Sequence, residues 1–274
     1  MTCDVLGPGA LDYLPCRYGA SKLVFRGPRR ALEAPYVAFI GGTQTFGKFI
    51  EKPYPLRVEH LTGVTSVNLG QMNAGLDVFA KDKEVHRTAQ GARVTVLEVL
   101  GAINMSSRLY TVHPRRNDRF VCAGPQLQRL YPDVDFTQFH FTQHMLRYLY
   151  RKDRARFMLL REELQRVWVR RMRRLISYLG DNVVLLGIGS AGESEDWATG
   201  GASGPALVSD AMIAALDASV RSRVSIPLDA AARQTQSQGK VFHPMEEEAA
   251  KTVAGTSVHN HVAKALRPVL DRLM

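Results

Sequence analysis

Five short apolar runs punctuate this chain: YVAFI (36–40), SVNLG (66–70), RVTVLEVLG (93–101), NVVLLGIG (182–189) and RVSIPL (223–228). Each is rich in β-branched residues, as a strand covered on both faces should be. Helical stretches lie between them. GKFIEKPYPLRVEHL (47–61) contains Pro53 and Pro55, so a helix there starts after the prolines. GLDVFAKDKEVHRTA (75–89) follows the second run. RFMLLREELQRVWVRRMRRLISYLG (156–180) sets Leu160, Leu164, Val167, Leu175 and Leu179 near helical spacing before a Gly180 stop. SDAMIAALDAS (209–219) opens on a serine cap, and SVHNHVAKALRPVLDRLM (257–274) forms a closing helix. Strands alternating with helices specify an α/β fold, a parallel sheet with helices on both faces. Residues 1–35, broken by Gly7, Pro8, Gly9, Pro15, Gly27 and Pro28, read as an N-terminal arm or cap, and 36–274 as one α/β domain.

At 274 residues and 45% hydrophobic content the chain can bury a full core. Its formal charge of +10 favours anionic partners. The basic residues gather in FRGPRR (25–30), HPRRNDR (113–119), RKDRAR (151–156) and RRMRR (170–174), the last read as the solvated face of a helix. No helix-turn-helix, zinc-finger or RNA-binding aromatic pattern is present, so specific nucleic acid binding is not expected. No run reaches the roughly 18 apolar residues of a membrane span. The N-terminus lacks a signal-peptide pattern, and three cysteines without CxxC spacing suit a reducing cytoplasm. No metal or cofactor is assigned. HFTQH (140–144) pairs two histidines without the glutamate of a zinc helix and reads as a structural or surface pair.

Ligands of parallel α/β sheets bind beyond the carboxyl ends of the strands, where this sequence places GGTQTFG, GQMNAG and GAINMS. The first admits two readings. As a phosphate-cradling loop it supplies Gly42, Gly47 and Lys48, but Phe49 stands at the magnesium-binding hydroxyl, and Glu98 lies inside its run rather than at the end. A metal-free sulfotransferase gripping a sulfated nucleotide would escape both objections. As a nucleophile turn, the same stretch carries the hydroxyls of Thr43 and Thr45.

The second reading draws on more of the chain. Gly41, Gly42, Thr43 and Gly47 resemble the first block of the SGNH (GDSL) hydrolase superfamily, with glycine for its aspartate and threonine for its serine. NLGQMNAG supplies Gly70 and Gly75 for the second block, LGAINMS supplies Asn104 for the third, and KVFHPMEEEAAK…SVHNHVAKAL supplies His243, His259 and His261 for the last, with Lys240 at its aspartate position. More closely, DYLPCRYG, GGTQTFGKF, VNLG…NAGLD and VHPRRNDRF resemble an uncharacterised bacterial family. The superfamily resemblance implies a three-layer α/β/α sandwich with five parallel strands in the flavodoxin-like order 2-1-3-4-5. It implies Thr43 as nucleophile, the N–H groups of Thr43 and Gly75 with the Asn104 amide as oxyanion hole, and His243 or His259 as base. Thr45, Arg108, Arg115, Arg116 and Arg119 are expected to hold an anionic substrate group, and Lys48 to point away. The expected function is that of an esterase or acyltransferase acting on a small-molecule, lipid or saccharide ester with an anionic part. The alternatives are the sulfotransferase and a non-catalytic binder of an anionic ligand or partner. The plain structural roles are Thr43 and Thr45 as helix caps, Asn104 as a turn residue and His243 as loop surface.

Overall fold

A computed structural model describes residues 11–189, 196–199, 204–227 and 238–274. Parallel strands β1 (Tyr36–Ile40), β2 (Thr65–Asn68), β3 (Val94–Glu98), β6 (Val183–Ile188) and β7 (Ser222–Ile226) form one five-stranded sheet in the order β2-β1-β3-β6-β7. These are the five apolar runs of the sequence. Alternate residues of each strand face opposite sides, and both sides are apolar. Val37, Phe39, Val96, Val184, Leu186 and Val224 pack with Tyr54 and Val58 of α2 (Tyr54–Thr62) and with Val262 and Leu266 of the closing helix (Thr256–Leu273). Ala38, Ile40, Leu97, Val183 and Leu185 pack on the other side with Phe79 of α3 (Leu76–Ala80), Val85 of α4 (Lys83–Gln90) and Leu164 and Trp168 of α7 (Arg154–Leu179).

Local chemistry sets the helix boundaries. Helix α2 starts after Pro53 and carries Pro55 in its first turn, as the prolines require. The stretch read as one helix over 75–89 is two, because Asp82 caps α4 by accepting from the N–H groups of Glu84 and Val85. Part of the arm enters the core: Tyr18, Leu23 and Phe25 are buried against the sheet's α7 side.

Strands β4 (Tyr110–His113) and β5 (Arg116–Ala123) form a separate antiparallel pair, joined at Pro114–Arg115. HPRRNDR is therefore a hairpin turn with its second strand, not a loop beside the sheet. Helices α5 (Pro125–Leu130) and α6 (Thr142–Lys152) follow. Within RRMRR, Arg171 is not simply solvated, since its guanidinium pairs with buried Asp77 of α3. No helix among the described residues is long and apolar enough to cross a membrane.

Candidate functional site

At the carboxyl edge of the sheet, β1 runs through Gly41 and Gly42 into α1, a single turn spanning Thr43–Phe46. Gly47 ends it at φ 75°, a left-handed conformation that glycine adopts without strain. The turn is gripped at both ends. Glu98, the last residue of β3 rather than an interior one, accepts from Gly42 N (2.8 Å), Thr45 N (3.2 Å) and Thr45 Oγ1 (2.5 Å) with one carboxylate oxygen, Oε2. At the far end buried Arg26 donates to the carbonyls of Phe46 (3.2 Å), Gly47 (2.6 Å) and Glu51 (2.9 Å). Burial lowers the Arg26 pKa to about 10 and pushes that of Glu98 upward, the hydrogen bonds from Thr45 and Gly42 opposing the latter.

Thr45 is fully buried and belongs to this scaffold. Its hydroxyl proton goes to Glu98, so the Tyr54 hydroxyl 2.6 Å away donates to Thr45. Buried there, it is not exposed to the cleft as the expected substrate-binding role requires. Thr43 is half-buried and faces the cleft. Its Oγ1 accepts from Asn73 N (2.9 Å) and donates to Asn73 Oδ1 (3.3 Å). Asn104 donates from its amide to Asn73 O (3.3 Å) and accepts from Thr142 Oγ1 (2.6 Å). Thr43 and Asn104 thus meet through Asn73, which also donates to Asp118 (3.2 Å).

The remaining expected groups lie elsewhere. Gly75 N–H is not free for an oxyanion, because it donates to Oδ1 of buried Asn117 (3.1 Å), which also takes Val78 N–H (3.1 Å). Gly75 is required for a different reason: a Cβ there would lie 1.5 Å from the Asn104 carbonyl oxygen. His259 is buried, stacks on the Tyr54 ring and accepts from Tyr54 N through Nδ1 (3.1 Å). Desolvation, with lesser repulsion from Arg57, Arg26 and Lys240, drops its pKa to about 3. Exposed His243 accepts from Met245 N (3.3 Å) at the start of a 3₁₀ turn. Lys240 faces neither histidine as a partner, but donates to the carbonyls of Ala250 and Val253. Lys48 follows α1, lies over the Phe49 ring and pairs with Glu246 at 3.7 Å. Among the expected arginines, Arg108 is exposed and paired with Glu163 (3.1 Å), and Arg115 and Arg116 are exposed on the hairpin. Arg119 stacks over Phe141 at 4.4 Å.

The cleft has a volume of about 220 Å³ and is lined by Gly42, Thr43, Asn73, Glu98, Asn104 and Ala206, among others. A second cavity of about 600 Å³ adjoins it, sharing Asn73, Ile103 and Asn104. It is also lined by Asp118 and by His144, Arg147 and Arg151 of α6. These basic groups were missed because HFTQH and RKDRAR look like separate surface clusters. Their spacing of three and four residues along a single helix face was the available signal.

Comparison with curated proteins returned no match. A family model described as Domain of unknown function (DUF6473) matches residues 1–274, and the chain belongs to that family.

Proposed function

We propose that this chain binds a small, oxygen-rich anion in the cavity adjoining the cleft at the carboxyl edge of its sheet, on an SGNH-like framework with an incomplete hydrolytic apparatus. The supporting observation is that two cavities share Asn73, Ile103 and Asn104, the smaller adding the Thr43 hydroxyl and the larger the cations Arg147 and Arg151 and the ring of His144, against the single carboxylate of Asp118. Charge-assisted hydrogen bonds contribute about 1.5–3 kcal/mol each, so two arginines suffice for useful affinity. The phosphate-loop alternative fares worse on charge. The N–H groups of Gly42 and Thr45, which would cradle a phosphate, already donate to the Glu98 carboxylate, and a nucleotide phosphate would have to sit beside it.

Ester hydrolysis or acyl transfer through Thr43 is the second reading, favoured by the convergence of Thr43 and Asn104 on Asn73. It lacks a base: among the described residues no histidine is hydrogen-bonded to Thr43, whose Oγ1 is engaged with Asn73. Purified protein separates the two. Under the binding reading, propyl phosphate binds in a salt-sensitive manner and p-nitrophenyl acetate is hydrolysed no faster by wild type than by Thr43→Ala. Turnover of that ester by wild type, lost in Thr43→Ala, would install the catalytic reading instead.

A further inference from the structure

Glu98 is used by neither reading except as scaffold, yet it forms part of the cleft wall. Its side chain belongs to a residue only 7% exposed at the end of the central strand. The three groups that reach Oε2 are all donors, so that oxygen is saturated. Oε1 has no hydrogen-bond partner among the described residues, and it is not among the sealed buried atoms that lack one. Gly42 and Leu100 line the same cleft, and a Cβ at position 42 would come into contact with Oε1 at 3.6 Å and crowd Leu100 Cδ2 at 3.2 Å. A carboxylate oxygen buried this deeply is costly without a donor, and the cleft is where a donor can arrive.

We propose that Oε1 of Glu98 is a second ligand subsite that accepts a hydrogen bond from the bound molecule. The ligand is then a small anion that also carries a hydroxyl or ammonium group. Its anionic end lies toward Arg147 and Arg151, and its donor lies against Glu98. This rests on the anion-binding reading above for one end of the ligand only. The three donors on Oε2 favour the ionised, accepting form, against the burial that pushes the Glu98 pKa up. Any proton the carboxyl does bind belongs on Oε1, because Oε2 has no room for it.

Three phosphates of similar size test the subsite by calorimetry: glycerol 3-phosphate with hydroxyls, phosphoethanolamine with an ammonium group, and propyl phosphate with neither. Amide signals of Gly42 and Thr45, which donate to Glu98, report its state in ¹⁵N–¹H spectra. Wild type should bind at least one donor-bearing phosphate about tenfold or more tightly than propyl phosphate, with both amide signals shifting. The stronger of the two identifies the donor. Glu98→Gln keeps an oxygen for the three scaffold donors and turns an NH₂ toward the cleft. It should lose the discrimination, and a cooperative melting transition, even at a lowered midpoint, shows that the scaffold still forms. Equal affinity for all three phosphates in wild type, or discrimination surviving in Glu98→Gln, overturns the subsite. Neutral glycerol tests it without the anion. Were no phosphate to bind but glycerol to shift Gly42 and Thr45, the subsite would stand and the anion reading fall. Unmoved signals would remove both.

Discussion

Thr43 and Thr45 stand two residues apart on one turn, so helical geometry points their side chains about 200° apart. Thr43 reaches the cleft, and Thr45 reaches Glu98 and Tyr54 in the interior. Their replacements should therefore separate stability from binding. Thr45→Val removes a buried hydroxyl and leaves Tyr54 and Glu98 short of a partner. It should cost about 1–3 kcal/mol in urea unfolding. Thr43→Ala should cost under about 1 kcal/mol and weaken ligand binding. His259 gives a pH signature. The unfolded imidazole protonates near pH 6.5, whereas the buried one resists to about pH 3. Between these values the unfolded state binds more protons, so stability falls as pH falls. The slope approaches about 1.4 kcal/mol per pH unit per proton. His259→Asn, which retains an acceptor for Tyr54 N, should flatten that dependence between pH 6.5 and 5 when urea midpoints are compared with wild type. Parallel curves for the two proteins would mean that His259 is protonated in the folded state.

Among the elements, the loop from Gly70 to α3 shows how packing can take up a glycine that the sequence offers to a ligand. Gly75 sits against the Asn104 carbonyl, and its N–H is taken by Asn117, which comes from β5 of the hairpin. Its φ of −113° is open to any residue, so the constraint is one of space. Gly75→Ala should destabilise by about 1–3 kcal/mol or more through overpacking. Asn117→Ala should cost a comparable amount by leaving two buried N–H groups unpaired. Thermal and urea unfolding check both, and a neutral result at Asn117 would mean that water replaces it. Strands and long helices were legible because their apolar periodicity is local. The hairpin was not: YTVH and RNDRFVCA alternate too weakly to stand out, and their arginines drew attention as charge. Helix α6 was missed as a site for the same reason. His144, Arg147 and Arg151 become a wall only when the chain folds α6 against the loop bearing Asn104.

Over the whole molecule, the alternation of strands and helices was enough to anticipate a five-stranded parallel sheet flanked by helices, whereas its strand order was expected only from the superfamily resemblance. It also pointed to the edge that bears the candidate cleft, since parallel strands end together. What could not be read was which polar groups the fold would consume. Glu98, Asn117 and Arg26 satisfy backbone groups contributed by distant segments, and His259 is absorbed by Tyr54. Such partners are fixed by long-range packing, which no local spacing encodes. With the net charge at +10, generic attraction of anions is expected everywhere, so the central claim needs a positional test. The affinity of propyl phosphate, measured by calorimetry at fixed ionic strength, should be compared for two double variants that each remove two charges. Arg147→Ala with Arg151→Ala takes them from the cavity wall, and Arg115→Ala with Arg116→Ala from the hairpin. The account predicts a loss of about tenfold to a hundredfold or more for the first pair and almost none for the second; equal losses, or a loss confined to the hairpin pair, would contradict it.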